Sequence, residues 1–270
     1  MIKFNCNVDI CNSNLLVCSG LAGFSSVLLS KLLIANYNFN KIGFYFSEYM
    51  QTNTTILPNN IQINGELFFN KDKKLLILVL SAGVQKFYQN KFFEEFNNNL
   101  LYKYNIKDCL FISGMLPVYQ NDEEIKNKEI TPYYLTNNNE YISRFEKSGA
   151  KSFEKLCNIV KTKYTKPLEE LKYASHIGFI EKYIKYQNRS NKYKKESDTL
   201  HYYNFVGVFI RSPLDILAAL SLYNFVGVYF ELTNKEFTPV EKKYLNIENK
   251  LSSLQLDESW SMLTSISNFD

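Results

Sequence analysis

The chain has 270 residues, 46% hydrophobic and 16% aromatic, with a formal net charge of +4. That length holds one large domain or two, with apolar content enough for a sizeable core. The balance of 31 basic against 27 acidic residues excludes a polyanion-binding specialist, which needs a concentrated basic field.

The five cysteines are Cys6, Cys11, Cys18, Cys109 and Cys157, an odd number without dense spacing, so no disulfide framework is expected. Cys18 and Cys109 fall inside predicted strands, where a free thiol behaves as a small buried hydrophobe. Cys6 and Cys11 are not spaced as C-x-x-C, and no second pair completes a zinc site. The N-terminus lacks a secretory apolar core, and no apolar run approaches the roughly 20 residues of a membrane span. The expected location is a reducing, soluble compartment, the cytoplasm.

Met1 to Asn14 is polar and irregular, with room for an edge strand. Leu15-Leu16-Val17-Cys18 predicts a buried strand, Ser19 to Gly23 a turn of small residues, and Phe24 to Ala35 a helix. Val27, Leu28, Leu32 and Leu33 share one side of that helix. Ile42 to Phe46 completes a β-turn-α-β pattern, the usual start of a sheet with crossover helices. Gly20 and Gly23 ahead of a helix invite a phosphate cradle, because free N–H groups there attract anions. The spacing is only G-x-x-G, however, and no acidic ribose-binding residue follows. A tight turn with close helix–sheet packing is the plainer reading.

Ser47 to Asn60 is a polar loop. Ile61, Ile63, Gly65, Leu67 and Phe69 alternate as in a half-buried strand. Lys71 to Lys74 makes a turn, and Leu75 to Leu80 predicts a second hairpin strand buried on both faces. Gln89 to Tyr104 reads as a helix with Phe92, Phe93, Phe96, Leu100 and Tyr104 inward. Asp108 to Met115 is the next buried strand. Its far end, where open α/β sheets bind ligands, leads into Tyr119, Gln120, Asn121, Asp122, Glu123 and Glu124. No catalytic set stands among them, and a solvated loop accounts for the acids.

Thr131 to Thr136 predicts a short strand, Lys151 to Thr162 a helix and Ser175 to Ile180 a strand. Glu181 to Asp198 mixes Lys182, Lys185, Arg189, Lys192, Lys194 and Lys195 with Tyr183, Tyr186 and Tyr193. Such a mixture can bind single-stranded nucleic acid. A solvated insertion over 181–200 is the reading taken, with no nucleic-acid partner and no membrane. Tyr203-Asn204-Phe205-Val206-Gly207-Val208 recurs as Tyr223-Asn224-Phe225-Val226-Gly227-Val228. Ser212-Pro213 resembles an N-cap with proline at the first helical position, so two helices joined at Arg211-Ser212 are expected. In the second, Ile216, Leu217, Leu220, Leu222, Phe225 and Val226 form a broad apolar face. Pro239 to Leu254 predicts a helix, and Trp260 pins the last stretch to the body.

His176 and His201 sit beside no nucleophile motif, and neither G-x-S-x-G nor H-E-x-x-H occurs. No catalytic, cofactor-binding or metal-binding residue is assigned, and no cofactor is expected.

The ordered segments together resemble the proteasome assembly chaperone 2 family. They are the opening strand-turn-helix, Asn40 to Phe46, Ile61 to Phe68, the turn at Lys73-Lys74-Leu75, Asp108 to Ser113, Tyr119 to Asp122 and Thr131 to Thr136. A Trp-containing segment, Glu258 to Leu263, also fits. No single motif is decisive; order and spacing carry the resemblance, best over 12–137. It implies one α/β domain over 1–270: a three-layer sheet with flanking helices, similar to a nucleoside phosphorylase-like fold without its active site. It further implies a non-enzymatic chaperone for assembly of the proteasome core particle. Such a protein pairs with proteasome assembly chaperone 1 as a heterodimer on the α-subunit ring, contacts the proteasome α-type subunits and blocks premature cap docking. Within the tail 264–270, Asn268, Phe269 and Asp270 stand where relatives carry a hydrophobic-Tyr-X docking end. Phe269 keeps the ring without its hydroxyl, and Asn268 departs from the hydrophobic position. The alternative is a nucleoside- or phosphate-binding enzyme of nucleoside phosphorylase-like fold, using the Gly20–Gly23 turn and the loop after Met115.

Overall fold

Leu15 to Cys18 alternate between two apolar surroundings, and that alternation sets the architecture. Leu15 and Val17 enter one buried cluster, Leu16 and Cys18 the other. A strand with no polar face needs a covering layer on each side. The structure is a computed structural model that describes residues 2–5, 8–19, 25–50, 65–80, 83–85, 87–115, 130–153, 178–193, 202–210 and 215–232.

The strands are β1 (Ile2–Phe4), β2 (Asn14–Ser19), β3 (Asn40–Tyr45), β4 (Gly65–Asn70), β5 (Leu75–Leu80), β6 (Asp108–Met115), β7 (Pro132–Thr136), β8 (Lys151–Ser152) and β9 (Asn204–Phe209). Among the described residues they form one sheet, ordered β1-β3-β4-β5-β2-β6-β9-β7-β8. The centre is parallel: β2 lies between β5 and β6, and β6 pairs with β9. Antiparallel arms extend it through β4, β3 and β1 on one side and β7 on the other. β8 closes the second edge, parallel to β7.

Among the described residues the α-helices are α1 (Ser25–Asn36), α2 (Gln89–Phe96), α3 (Ile142–Lys147), α4 (Gly178–Lys192) and α5 (Ile216–Tyr229). α2 and α4 cover the face holding Leu15 and Val17, with Phe93 and Tyr183 rings 5.1 Å apart and Tyr183 on Phe111 at 4.6 Å. α1, α3 and α5 cover the other face. There Phe145 of α3 stacks between Tyr134 at 4.9 Å and Tyr229 at 5.1 Å. The result is a mixed α/β molecule with helices on both sides of a nine-stranded sheet.

The opening strand and helix, the hairpin β4–β5 and the strands β6 and β7 follow the sequence expectation, and β1 supplies the expected edge strand. Several expectations change. β3 does run parallel to β2 but stands three positions away, because the hairpin β4–β5 is inserted between them. The predicted helix over Gln89–Tyr104 turns π-helical at Asn97–Tyr102, which keeps Leu100 buried beside Phe92, Phe93 and Phe96. Of the helix expected over Lys151–Thr162, Lys151-Ser152 is an edge strand, Phe153 is helical, and 154–162 lie outside the described residues. Gly178 begins a helix where a strand was expected. That helix is no solvated insertion over its length, since Tyr183 and Gln187 are buried one turn apart. The first copy of the repeated hexapeptide is strand β9 and only the second is helical. On α5, Leu222, Phe225 and Val226 are buried while Ile216 and Leu217 stay exposed. Ile61, Ile63, Pro239 to Leu254 and Trp260 lie outside the described residues.

At Gly43 the edge strand comes close. An added Cβ would strike the Lys3 carbonyl oxygen and lie 3.0 Å from Phe4 Cα. Only glycine lets β1 pair with β3 in this register.

Candidate functional site

Four parallel strands give the sheet two unlike edges. Their carboxyl ends are Ser19, Leu80, Met115 and Phe209, and ligands of open α/β sheets bind outside that edge. Gly20, Gly23 and the Tyr119 to Glu124 loop lie outside the described residues. What is described there ties the start of α1 to the end of β2 and to the start of α5. The Ser26 hydroxyl donates to the Ser19 carbonyl at 2.6 Å, and the Ser25 hydroxyl to the Asp215 carbonyl at 3.4 Å. The Asp215 carboxylate caps α5 by accepting from the Ala218 N–H at 3.0 Å, which sets an acid where an anion would bind. Ser19 Oγ is buried without a partner among the described residues. Strand alternation turns it toward the α2 and α4 face, away from the start of α1.

A buried polar cluster forms at the opposite, amino-terminal edge. Asp108 opens β6 and is 4% exposed. Its Oδ1 accepts from the Asn204 amide at 2.9 Å, and its Oδ2 from the Tyr229 hydroxyl at 2.9 Å and Arg144 Nη1 at 3.3 Å. Thr136 Oγ1 donates to Asn204 Oδ1 at 2.7 Å. Arg144 lies 4.0 Å from the centre of the Tyr229 ring and donates to the Tyr229 carbonyl through Nε at 3.0 Å and Nη2 at 2.7 Å. One carboxylate thus joins β6, β9, α3 and α5. Burial pushes the Asp108 carboxyl above its ordinary range, against the pull of Arg144, Tyr229 and Asn204. Burial, followed by the Asp108 charge, moves the Tyr141 phenol up to about 12.

Both carboxylate oxygens are engaged, and the buried acid has the hydrogen-bond partners that burial demands. Among the described residues the thiols of Cys11, Cys18 and Cys109 are not primed. Burial raises Cys18, burial and then Asp108 raise Cys109, and a hydrogen bond to Asp9 leads the rise at Cys11. Among the described residues no group of three His, Cys, Asp or Glu can hold a metal, and no helix is long and apolar enough to cross a membrane. His176, His201, Asn268, Phe269 and Asp270 lie outside the described residues. The Asp108 cluster was missed in the sequence. Its one signal was an acid opening an otherwise apolar strand.

No protein-family model matches the chain, and no curated protein matches it in sequence. Solved structures match in fold. PbaA of Pyrococcus furiosus, described as an archaeal homolog of proteasome-assembly chaperone, aligns with TM-score 0.57 and 14% identity over 96% of this chain and 99% of its own. PbaB of the same organism, described as an archaeal proteasome activator, aligns with TM-score 0.58 and 12% identity over 94% and 98%. A protein of unknown function from Thermoplasma acidophilum aligns with TM-score 0.54 and 10% identity over 96% and 92%. At these identities the likeness is one of fold, and it extends over nearly the whole of each chain.

Proposed function

We propose that the chain is an assembly chaperone of the proteasome core particle, of the proteasome assembly chaperone 2 type. In this reading it pairs with proteasome assembly chaperone 1, and the heterodimer holds the α-subunit ring in the cytoplasm and nucleus. The body serves as a nucleoside phosphorylase-like frame whose surface, and no catalytic pocket, performs the work. The observation that carries the reading is the end-to-end likeness in fold to PbaA and PbaB, one a proteasome-assembly chaperone homolog and the other a proteasome activator. The ordered segments of the sequence point the same way.

Affinity capture of the tagged full chain from its own cells tests the proposal. Recovery of α-type proteasome subunits with one second chaperone is the expected result. Recovery of neither, together with conversion of a nucleoside by the purified chain, overturns it.

A further inference from the structure

The corner between the end of β3 and the start of α2 carries aromatic side chains that folding leaves unused. Phe87 is 92% exposed and Tyr88 43%. Tyr88 stacks on Tyr49, with ring centroids 5.8 Å and planes 21° apart. The rings stand on a fixed frame. Met50 bridges Val84, and the Gln85 N–H donates to the Tyr49 carbonyl at 2.8 Å. The Gln85 side-chain amide donates to the carbonyls of Glu48 and Met50, each at 3.3 Å. The Tyr88 N–H donates to the Gln85 carbonyl at 3.0 Å. A surface fixed before binding loses little freedom on binding.

The surroundings are acidic, although the chain as a whole is +4. Glu48 and Glu94 are exposed. A hydrogen bond to Glu48, partial desolvation and the charges of Glu48, Glu95 and Glu94 together raise the Tyr49 phenol. Glu95 also accepts from the Ser47 hydroxyl at 2.8 Å. Lys91 stands over the Tyr88 ring at 5.8 Å, near the outer limit of a cation–π contact. Glu48, Glu94, Glu95 and Lys91 thus stand around the electron-rich rings of Tyr49 and Tyr88, with Glu48 and Glu94 exposed.

We propose that this corner docks a basic segment of a partner protein. The segment lays a Lys or Arg side chain on the Tyr49–Tyr88 surface between Glu48 and Glu94, and an apolar side chain against Phe87. Charge complementarity selects that occupant, since two copies of this chain meeting corner to corner would set like charges together. The inference does not rest on the proteasome reading.

The test places a photoreactive phenylalanine analogue at position 87 of the full chain in its own cells and sequences the cross-linked peptide by mass spectrometry. The expected product is a peptide of one other protein with Lys or Arg beside the linked residue. Its yield should fall roughly tenfold in a Glu48→Lys, Glu94→Lys double variant, as for loss of an interface hot spot. Both positions are exposed, and an unchanged thermal melt verifies the fold; if it shifts, the Glu48→Gln, Glu94→Gln pair should lower the yield about threefold. Cross-links confined to this chain or a second copy, an acidic target segment, a yield indifferent to the charge changes, or no cross-link each overturn the proposal.

Discussion

Asp108 is the residue whose removal should cost most for its size. Asp108→Ala leaves the Asn204 amide and the Tyr229 hydroxyl without their acceptor inside the molecule. The expected loss is about 2–4 kcal/mol, with Arg144 adding little because it is partly exposed. Asp108→Asn keeps the shape and should cost less. The two carboxyl states also separate with pH. Burial raises the folded pKa above the unfolded value, so the stability from protonation is fully present below about pH 3.9 and lost as pH rises through the folded pKa. Asn does not titrate, and the Asn variant should therefore gain on the wild type as pH climbs across that window. Urea midpoints at pH values from about 4 to 7 would check this. Tyr45→Phe is the contrasting case. The Tyr45 hydroxyl is buried with no partner among the described residues, so its deletion should be neutral or stabilise by up to about 1 kcal/mol in the same assay.

At the scale of elements, the repeated hexapeptide shows what the sequence could not disclose. In β9, Phe205 and Val206 face opposite layers, whereas in α5 Phe225 and Val226 enter the same one. Six residues with one apolar pattern satisfy either period. The neighbours decide. β9 has β6 on one side and β7 on the other to take its backbone bonds, while α5 starts from the Asp215 cap. The difference should appear in matched variants. Asn204→Ala removes a buried bond to Asp108 and should cost about 1–3 kcal/mol, whereas half-buried Asn224→Ala should change stability by less than about 0.5 kcal/mol. Denaturant titration of both variants checks it. The hairpin β4–β5 was legible because its alternation is bounded by the Lys71 to Lys74 turn, and β6 because its run is too short for a helix. α4 was hidden by composition, since its lysines conceal Tyr183 and Gln187 on one buried face.

For the whole molecule, the burial of β5 on both faces could be read in its six-residue apolar run, while the three layers came only from the family resemblance and the strand order from neither. The insertion of β4–β5 beside β2 follows from long-range pairing, which no local pattern encodes. The Asp108 cluster was illegible for a related reason: Asp108, Thr136, Arg144, Asn204 and Tyr229 come from five separate segments with no common spacing. If the tail residues Asn268, Phe269 and Asp270 dock as the resemblance implies, deleting Phe269 and Asp270 should lower recovery of α-type subunits roughly tenfold. Pairing with the second chaperone should persist. Quantitative mass spectrometry of the captured complexes reads both.

The position of β2 also bears on how the chain is made. Asn14 must find Leu75 on one flank and Asp108 on the other. During synthesis β2, apolar from Leu15 to Cys18, leaves the ribosome with neither flank available. One flank stays open until residues through Met115 have emerged, and the far arm waits longer still for β9. A nascent chain with such delayed closure is open to premature association, and its yield should depend on the pace of translation and on holding factors at the exit tunnel.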